Sequence, residues 1–142
     1  MAIYSLANRT TGVTIATAAL ELRTAATDRP RVVEVGVFMA AATASTYGLG
    51  RPQAIGVTPT APVTVLAEEV ADAAGTAQTA LAWATGPTVP VQFFRRWAGP
   101  ATIGTGIIWT FPRGLTVAVS SSIVIWNIAA NGVVDCYVVV DE

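Results

Sequence analysis

Ser122-Ile123-Val124-Ile125-Trp126-Asn127-Ile128, followed by Ala129-Ala130-Asn131-Gly132 and then Val133-Val134-Asp135-Cys136-Tyr137-Val138-Val139-Val140, is the stretch that decides the fold. Two runs rich in β-branched and aromatic residues, each the length of a strand, flank a turn-forming tetrapeptide. Asn-Gly at positions 131–132 predicts a hairpin between them, because both residues tolerate positive φ. Within the first run Ile123 and Ile125 alternate with Val124, Trp126 and Ile128, so both faces of this strand are apolar. A two-layer sandwich has core on one face only, so the second face needs cover from a loop or from another subunit.

Working outward, Ile107–Phe111 and Leu115–Val119 read as two more strands separated by Pro112-Arg113-Gly114. Gln92–Trp97 alternates, with Phe93, Arg95 and Trp97 on one side and Gln92, Phe94 and Arg96 on the other. Arg31–Met39 places Val33, Val35, Val37 and Met39 on one face and Val32, Glu34 and Phe38 on the other. Nearer the start, Ile3–Asn8, Val13–Ala16, Leu20–Arg23 and Gln78–Ala84 suit shorter strands. Tyr47–Pro62 holds three Pro and three Gly and reads as a long ordered loop or an extended arm. Ala67–Ala74 suits either a short helix ended by Gly75 or an irregular acidic loop. Short strands at regular spacing without a long helical pattern predict an all-β fold, a jelly-roll-like antiparallel β-sandwich with little helix. With 142 residues and no linker, the expectation is one domain over 1–142, with a possible N-terminal arm over about 1–12.

Composition narrows function. The chain has no His, no Lys and one Cys, its eight cations all being Arg. A Ser-His-Asp triad is therefore excluded, Ser120-Ser121-Ser122 notwithstanding. Gly48-Leu49-Gly50 and Gly104-Thr105-Gly106 lack the lysine and the following helix of a phosphate loop, and read as tight turns or close backbone approaches. Glu68, Glu69 and Asp72 form the one acidic cluster; they lack the alternating ligands of a calcium loop and read as a solvated face. The expectation is a non-enzymatic chain with no cofactor and no metal. Charged residues make up only 12% against a usual share of roughly 25%. Mean hydropathy is +0.57. No segment has the length of a spanning helix, and Met1-Ala2-Ile3-Tyr4-Ser5 has no signal-peptide character, so no membrane is expected. The apolar excess points instead to homo-oligomerisation. A net charge of −1 gives no electrostatic footprint for nucleic acid. Arg95 and Arg96 fall on opposite faces, one placed to pair with Glu34 or another acid. Cys136 reads as a small apolar residue packed inside a strand. Trp83, Trp97, Trp109 and Trp126 suit core or interface packing better than a sugar-stacking platform.

Tyr4-Ser5-Leu6-Ala7-Asn8-Arg9-Thr10, the run Tyr47–Val57, Pro100-Ala101-Thr102-Ile103-Gly104, Ile108–Leu115 and Ser122–Asn127 resemble small virion proteins of tailed bacteriophages, in particular the capsid decoration (cement) class. The resemblance covers most of the chain, and none of these stretches is a chemical signature. It implies a jelly-roll or related sandwich, commonly trimeric, seated on three-fold and quasi-three-fold positions of the head, where it locks neighbouring capsomers after expansion. The implied partners are the chain itself, as a homotrimer, and the major capsid protein. The implied location is the capsid surface, after synthesis in the host cytoplasm. The candidate subunit or capsid interface comprises Tyr4, Arg9, Arg95, Trp97 and Trp126. An arm over Ala2–Asn8 could dock by strand addition. The alternative is a tail receptor-binding or fibre-tip protein that stacks its Trp residues on a host glycan.

Overall fold

The computed structural model describes residues 2–142. Thirteen strands run β1 Ile3–Arg9, β2 Ala18–Arg23, β3 Arg31–Met39, β4 Ser45–Pro52, β5 Val57–Pro59, β6 Val63–Thr64, β7 Leu66–Ala67, β8 Gln78–Ala80, β9 Trp83–Thr85, β10 Pro90–Gly99, β11 Gly106–Thr116, β12 Ser122–Asn127 and β13 Val134–Asp141. A five-stranded sheet has the order β11-β3-β13-β1-β7 and a six-stranded sheet the order β10-β4-β12-β2-β8-β6; β5 and β9 pair separately as a small ribbon. All strand pairings are antiparallel. The fold is an all-β, antiparallel, sandwich-like arrangement, and no helix occurs among the described residues.

The main core lies between the sheets. Val32, Val35, Val37, Met39, Cys136, Val138 and Val140 of the first sheet meet Leu20, Leu22, Tyr47, Leu49, Ile123 and Ile125 of the second. β13 alternates strictly between buried and half-buried residues, the period of a strand with one face on a core. In β3 the alternation breaks. Opposite it, Val139 pairs with Glu34 and Val140 with Val32, so Val33 is an extra residue on its strand. The bulge turns Val32 inward in place of Val33, and the inner face is Val32, Val35, Val37 and Met39.

Several sequence expectations change. The Asn131-Gly132 segment does not close a hairpin, because β12 and β13 belong to different sheets. It carries the chain across the end of the sandwich, pinned by the Asn131 side chain accepting from the Ile15 amide at 2.7 Å and by the Val13–Gly132 bridge. Pro112-Arg113-Gly114 does not separate two strands either. It forms an irregularity within the single strand β11, whose register with β3 jumps from Thr110–Glu34 to Leu115–Val32. Gly114 has φ +67°, and a Cβ there would approach the Arg31 Cβ to 2.7 Å, so both backbone conformation and space call for glycine.

Tyr47–Pro62 is not a loop throughout. Its first part is β4, paired with both β10 and β12. The glycines that suggested a loop serve close packing: a Cβ on Gly50 would lie 2.7 Å from Pro90 and 2.9 Å from the Gln92 carbonyl oxygen. Val13–Ala16 forms only the one bridge, and Ala16 adopts φ 59°. Gln78–Ala84 divides into β8 and the start of β9, which join different sheets. Ala67–Ala74 takes the irregular form. The N-terminal segment is no free arm from Ile3 onward. β1 pairs with β13 along its whole length and with β7 at Tyr4 and Ser5. Met1, at the start of the expected arm, lies outside the described residues.

The second face of β12 is covered by the chain itself. Val124 and Trp126 form a smaller cluster with Ala18, against which Trp83, Phe93 and Ile128 pack. This outer layer is tied down by Glu21, a fully buried carboxylate on β2. It accepts from the Gly56 amide at 3.0 Å, the Trp83 indole Nε1–H at 2.7 Å and the Ser122 hydroxyl at 2.7 Å. Three donors around one charge are what allow it to stay buried.

Candidate functional site: the arginine-rimmed edge

β10 and β11 are the long edge strands of the two sheets, and they lie at the same side of the sandwich, where Arg95 of β10 reaches the Phe111 ring of β11. Each is apolar enough in sequence to pass for an interior strand, and each is broken by bulges. β10 shifts register between Pro90 and Phe93 and again between Phe93 and Arg95. The second shift makes Phe94 the extra residue, and the alternation expected for this segment does not hold through it. Phe94 and Trp97 pack on the main core, whereas Phe93 turns to the outer cluster over β12.

Three arginines lie over three phenylalanine rings. The Arg51 guanidinium carbon sits 5.1 Å from the Phe94 centroid, that of Arg95 5.3 Å from Phe111, and that of Arg96 5.9 Å from Phe93. Such stacks contribute about 0.5–1 kcal/mol each at exposed sites. Arg95 therefore bridges the two sheets at their open edge, and Arg96 covers the outer layer. Neither pairs with Glu34, which instead accepts from the Tyr137 hydroxyl at 2.6 Å. Burial and the Glu34 carboxylate together push the Tyr137 phenol up to about 12.

Arg95, Phe111, Pro112, Arg113 and Gly114 line a shallow cavity of about 360 Å³. Its walls are ring and aliphatic surface, and its two polar side chains are both guanidinium groups. β4, β10 and β11 contain no acidic residue. The edge thus joins apolar surface to arginines that make no ion pair among the described residues, with arginine and aromatic side chains of the kind that dominate protein–protein contacts.

The expected interface residues do not converge. Arg95 and Trp97 share β10. Tyr4 is buried on β1 and its hydroxyl donates to the Ala73 carbonyl at 3.1 Å. Burial first, and then the charges of Asp72 and Glu142, raise its pKa above the ordinary value. Arg9 ends the same strand and makes a two-pronged ion pair with Asp135 at 2.6 Å, directly across from it in the ladder. That pairing raises the Arg9 pKa and lowers that of Asp135. Trp126 is buried under the outer layer.

The four tryptophans do not form one platform. Trp109 is in the main core and Trp97 packs against it. Trp83 and Trp126 instead line a second cavity of about 450 Å³ with Thr10, Thr11, Thr14 and Thr17, a wall without a charged side chain. Cys136 is buried as expected, and burial pushes its thiol pKa up. Glu21 and the tie it makes were missed from the sequence; the available signal was a lone acid between Leu20 and Leu22 in an apolar run.

No family model matches the chain, and no curated protein or solved structure is significantly similar to it.

Proposed function

We propose that this chain is a non-enzymatic virion structural protein, a decoration or cement protein that binds the outer surface of a phage head as a homotrimer and stabilises the expanded shell. The observation that carries the reading is the β10–β11 edge. It comprises two long edge strands, each paired on one side only, whose Arg–Phe stacks and apolar cavity suit a protein surface rather than a small reactant. A jelly-roll path for the chain belongs to the same proposal. The mechanism is linkage: a protein that binds only the expanded shell stabilises it by mass action, and several weak contacts per oligomer add through avidity. Docking by strand addition through Ala2–Asn8 has little support, since most of that segment is already a strand of the sheet.

The deciding experiment is the copy number of the chain relative to the major capsid protein in purified virions, by quantitative mass spectrometry. Hundreds of copies are expected. A handful would move the protein to the tail, and none would remove it from the virion.

One observation favours the tail reading, a receptor-binding protein for a host glycan. The Thr- and Trp-lined cavity is neutral and bears hydroxyl groups and indoles, the surface a sugar ring requires. Saccharide-array binding lost in Trp83→Ala would carry that alternative.

A further inference from the structure

Charge is sorted along this sequence. Between Arg51 and Asp135 the charged residues come in blocks: Glu68, Glu69 and Asp72, then Arg95, Arg96 and Arg113. The fold carries the blocks to opposite sides. In the five-stranded sheet β11 is one edge and β7 the other, with three strands between them. At a strand spacing of about 4.8 Å that separates the two edges by about 19 Å. The acidic loop leaves β7, which pairs with β1 at Tyr4 and Ser5. The Tyr4 hydroxyl donates to the Ala73 carbonyl at the end of this loop, and Glu142 accepts from the Thr76 and Ala77 amides just after it, so negative charge gathers at this side.

Both edges also carry apolar surface that the monomer leaves in water. In the acidic loop Val70 is 97% exposed, with Glu68 and Glu69 before it and Asp72 after it, and Leu66 is 63% exposed. At the other edge the cavity walled by Phe111, Pro112 and Gly114 is rimmed by Arg95 and Arg113. One side thus presents an exposed apolar residue with carboxylates at neighbouring positions of its loop, the other an apolar hollow lined by two guanidinium groups. Within one molecule they cannot meet.

We propose that copies of this chain associate head to tail, Val70 of one copy entering the Arg95–Arg113 hollow of the next while Glu68, Glu69 and Asp72 meet its arginines. The contact is heterologous, with unlike patches on the two partners, and every closed ring larger than a two-fold dimer is built from contacts of that kind. The bulges in β10 and β11 disfavour continuous strand pairing along this edge and leave side chains to make the contact. The proposal deepens the self-association contained in the reading above and needs no capsid.

The test is sedimentation velocity on the purified full chain over a concentration series, at low and high salt. The unaltered chain is expected to associate reversibly and less at high salt, because exposed charges are screened. Arg95→Glu with Arg113→Glu, or Glu68→Arg with Glu69→Arg, should each weaken association about 100-fold or more, through like charges brought together. Val70→Ser, which changes no charge and touches no core, should weaken it about tenfold. All four charge changes in one chain should restore association, because the two edges again carry opposite signs. A chain that stays monomeric up to about 1 mM, the weak end of specific association, overturns the proposal. So does association that the single-edge reversals leave intact, or a four-fold variant that stays monomeric while circular dichroism reports a native sheet. The capsid reading fails separately: a self-associating chain absent from virions sinks that reading alone, and an abundant virion protein that is monomeric when purified sinks this contact alone.

Discussion

β12 and β10 both carry large apolar side chains on both sides, with Gln92, Arg95 and Arg96 set among those of β10, and all six residues of β12 are buried while β10 is mostly exposed between its two ends. The difference is position and cover. β12 lies between β4 and β2, with the main core on one face and an outer layer of Trp83 and Phe93 on the other. β10 has a neighbour on one side only, and its second side meets solvent through arginines stacked on its rings. A strand that is apolar on both faces therefore does not by itself call for a partner subunit, since here the chain folds back to provide the cover. The case for self-association moves from the central strands to the edges.

The largest effects should come from β12, where the comparison is easiest to break. If the outer layer is a true second core, Trp126→Ala should destabilise as strongly as Ile125→Ala on the inner face. Both should cost about 2–5 kcal/mol, the range for large-to-small changes at buried sites. Chemical denaturation of the two variants measures this directly. A cost below about 1 kcal/mol for Trp126→Ala would mean that the outer layer is loose cover and not core.

Next in size is the tie that holds the cover in place. Glu21→Gln keeps the volume but replaces one carboxylate oxygen with a donor, so a donor now faces the Trp83 indole or the Gly56 amide. Hydrogen bonds to a charged group contribute about 1.5–3 kcal/mol each, and burying the charge offsets part of that. A net loss of about 2–3 kcal/mol is expected, with Trp83 fluorescence shifted toward that of a solvated indole. Unchanged emission would show that packing alone holds the layer.

Much of this was legible from the residues, and what was not has a common cause. Alternation gave the all-β class, the doubly apolar strand and the buried Cys136, because side-chain period and burial are local properties. Bulges are not local in that sense. Val33 and Phe94 look like ordinary members of an alternating run, and only the partner strand's register makes them extra residues. Gly48 and Gly50 imitate a loop because the reason for them, Phe93 and Pro90 approaching from β10, lies some forty residues away in sequence. Asn131-Gly132 carries the chemistry of a tight turn, but which strands a turn connects is decided by packing. The arginine-rimmed edge was legible as Arg95 and Trp97 and not as a site, because Arg51, Phe111 and Arg113 join it through the fold.

The outer face of the five-stranded sheet gives an intermediate case, partly covered by its own side chains. Tyr137 stacks on Phe38 with ring centroids 6.3 Å apart and donates to Glu34. Its pKa is raised from 10.0 to about 12, so the folded state holds the phenol proton more tightly than the unfolded state does. The sign follows: this contribution to stability is complete below pH 10 and is lost as pH rises toward 12. Glu34→Gln removes the neighbouring negative charge and should lower the Tyr137 titration toward its ordinary value, read by ultraviolet phenolate absorbance. A midpoint that does not move would assign the shift to burial alone.

The smallest effect should belong to the exposed side of β10. Arg96→Ala removes one guanidinium from the Phe93 ring, at 5.9 Å the longest of the three stacks, and leaves Phe93 packed on Trp126 and Val124. Stability should change by no more than about 0.5 kcal/mol, as for surface changes away from any buried group. The contrast with Trp126→Ala is the informative quantity, since both side chains belong to the same face of the same sheet. If Arg96→Ala costs as much as a core truncation, the guanidinium is what keeps water from the outer layer, and β10 is then an integral wall of the fold. If the cost is small, this side of β10 is free to change without loss of the fold, as a surface meant for another molecule must be.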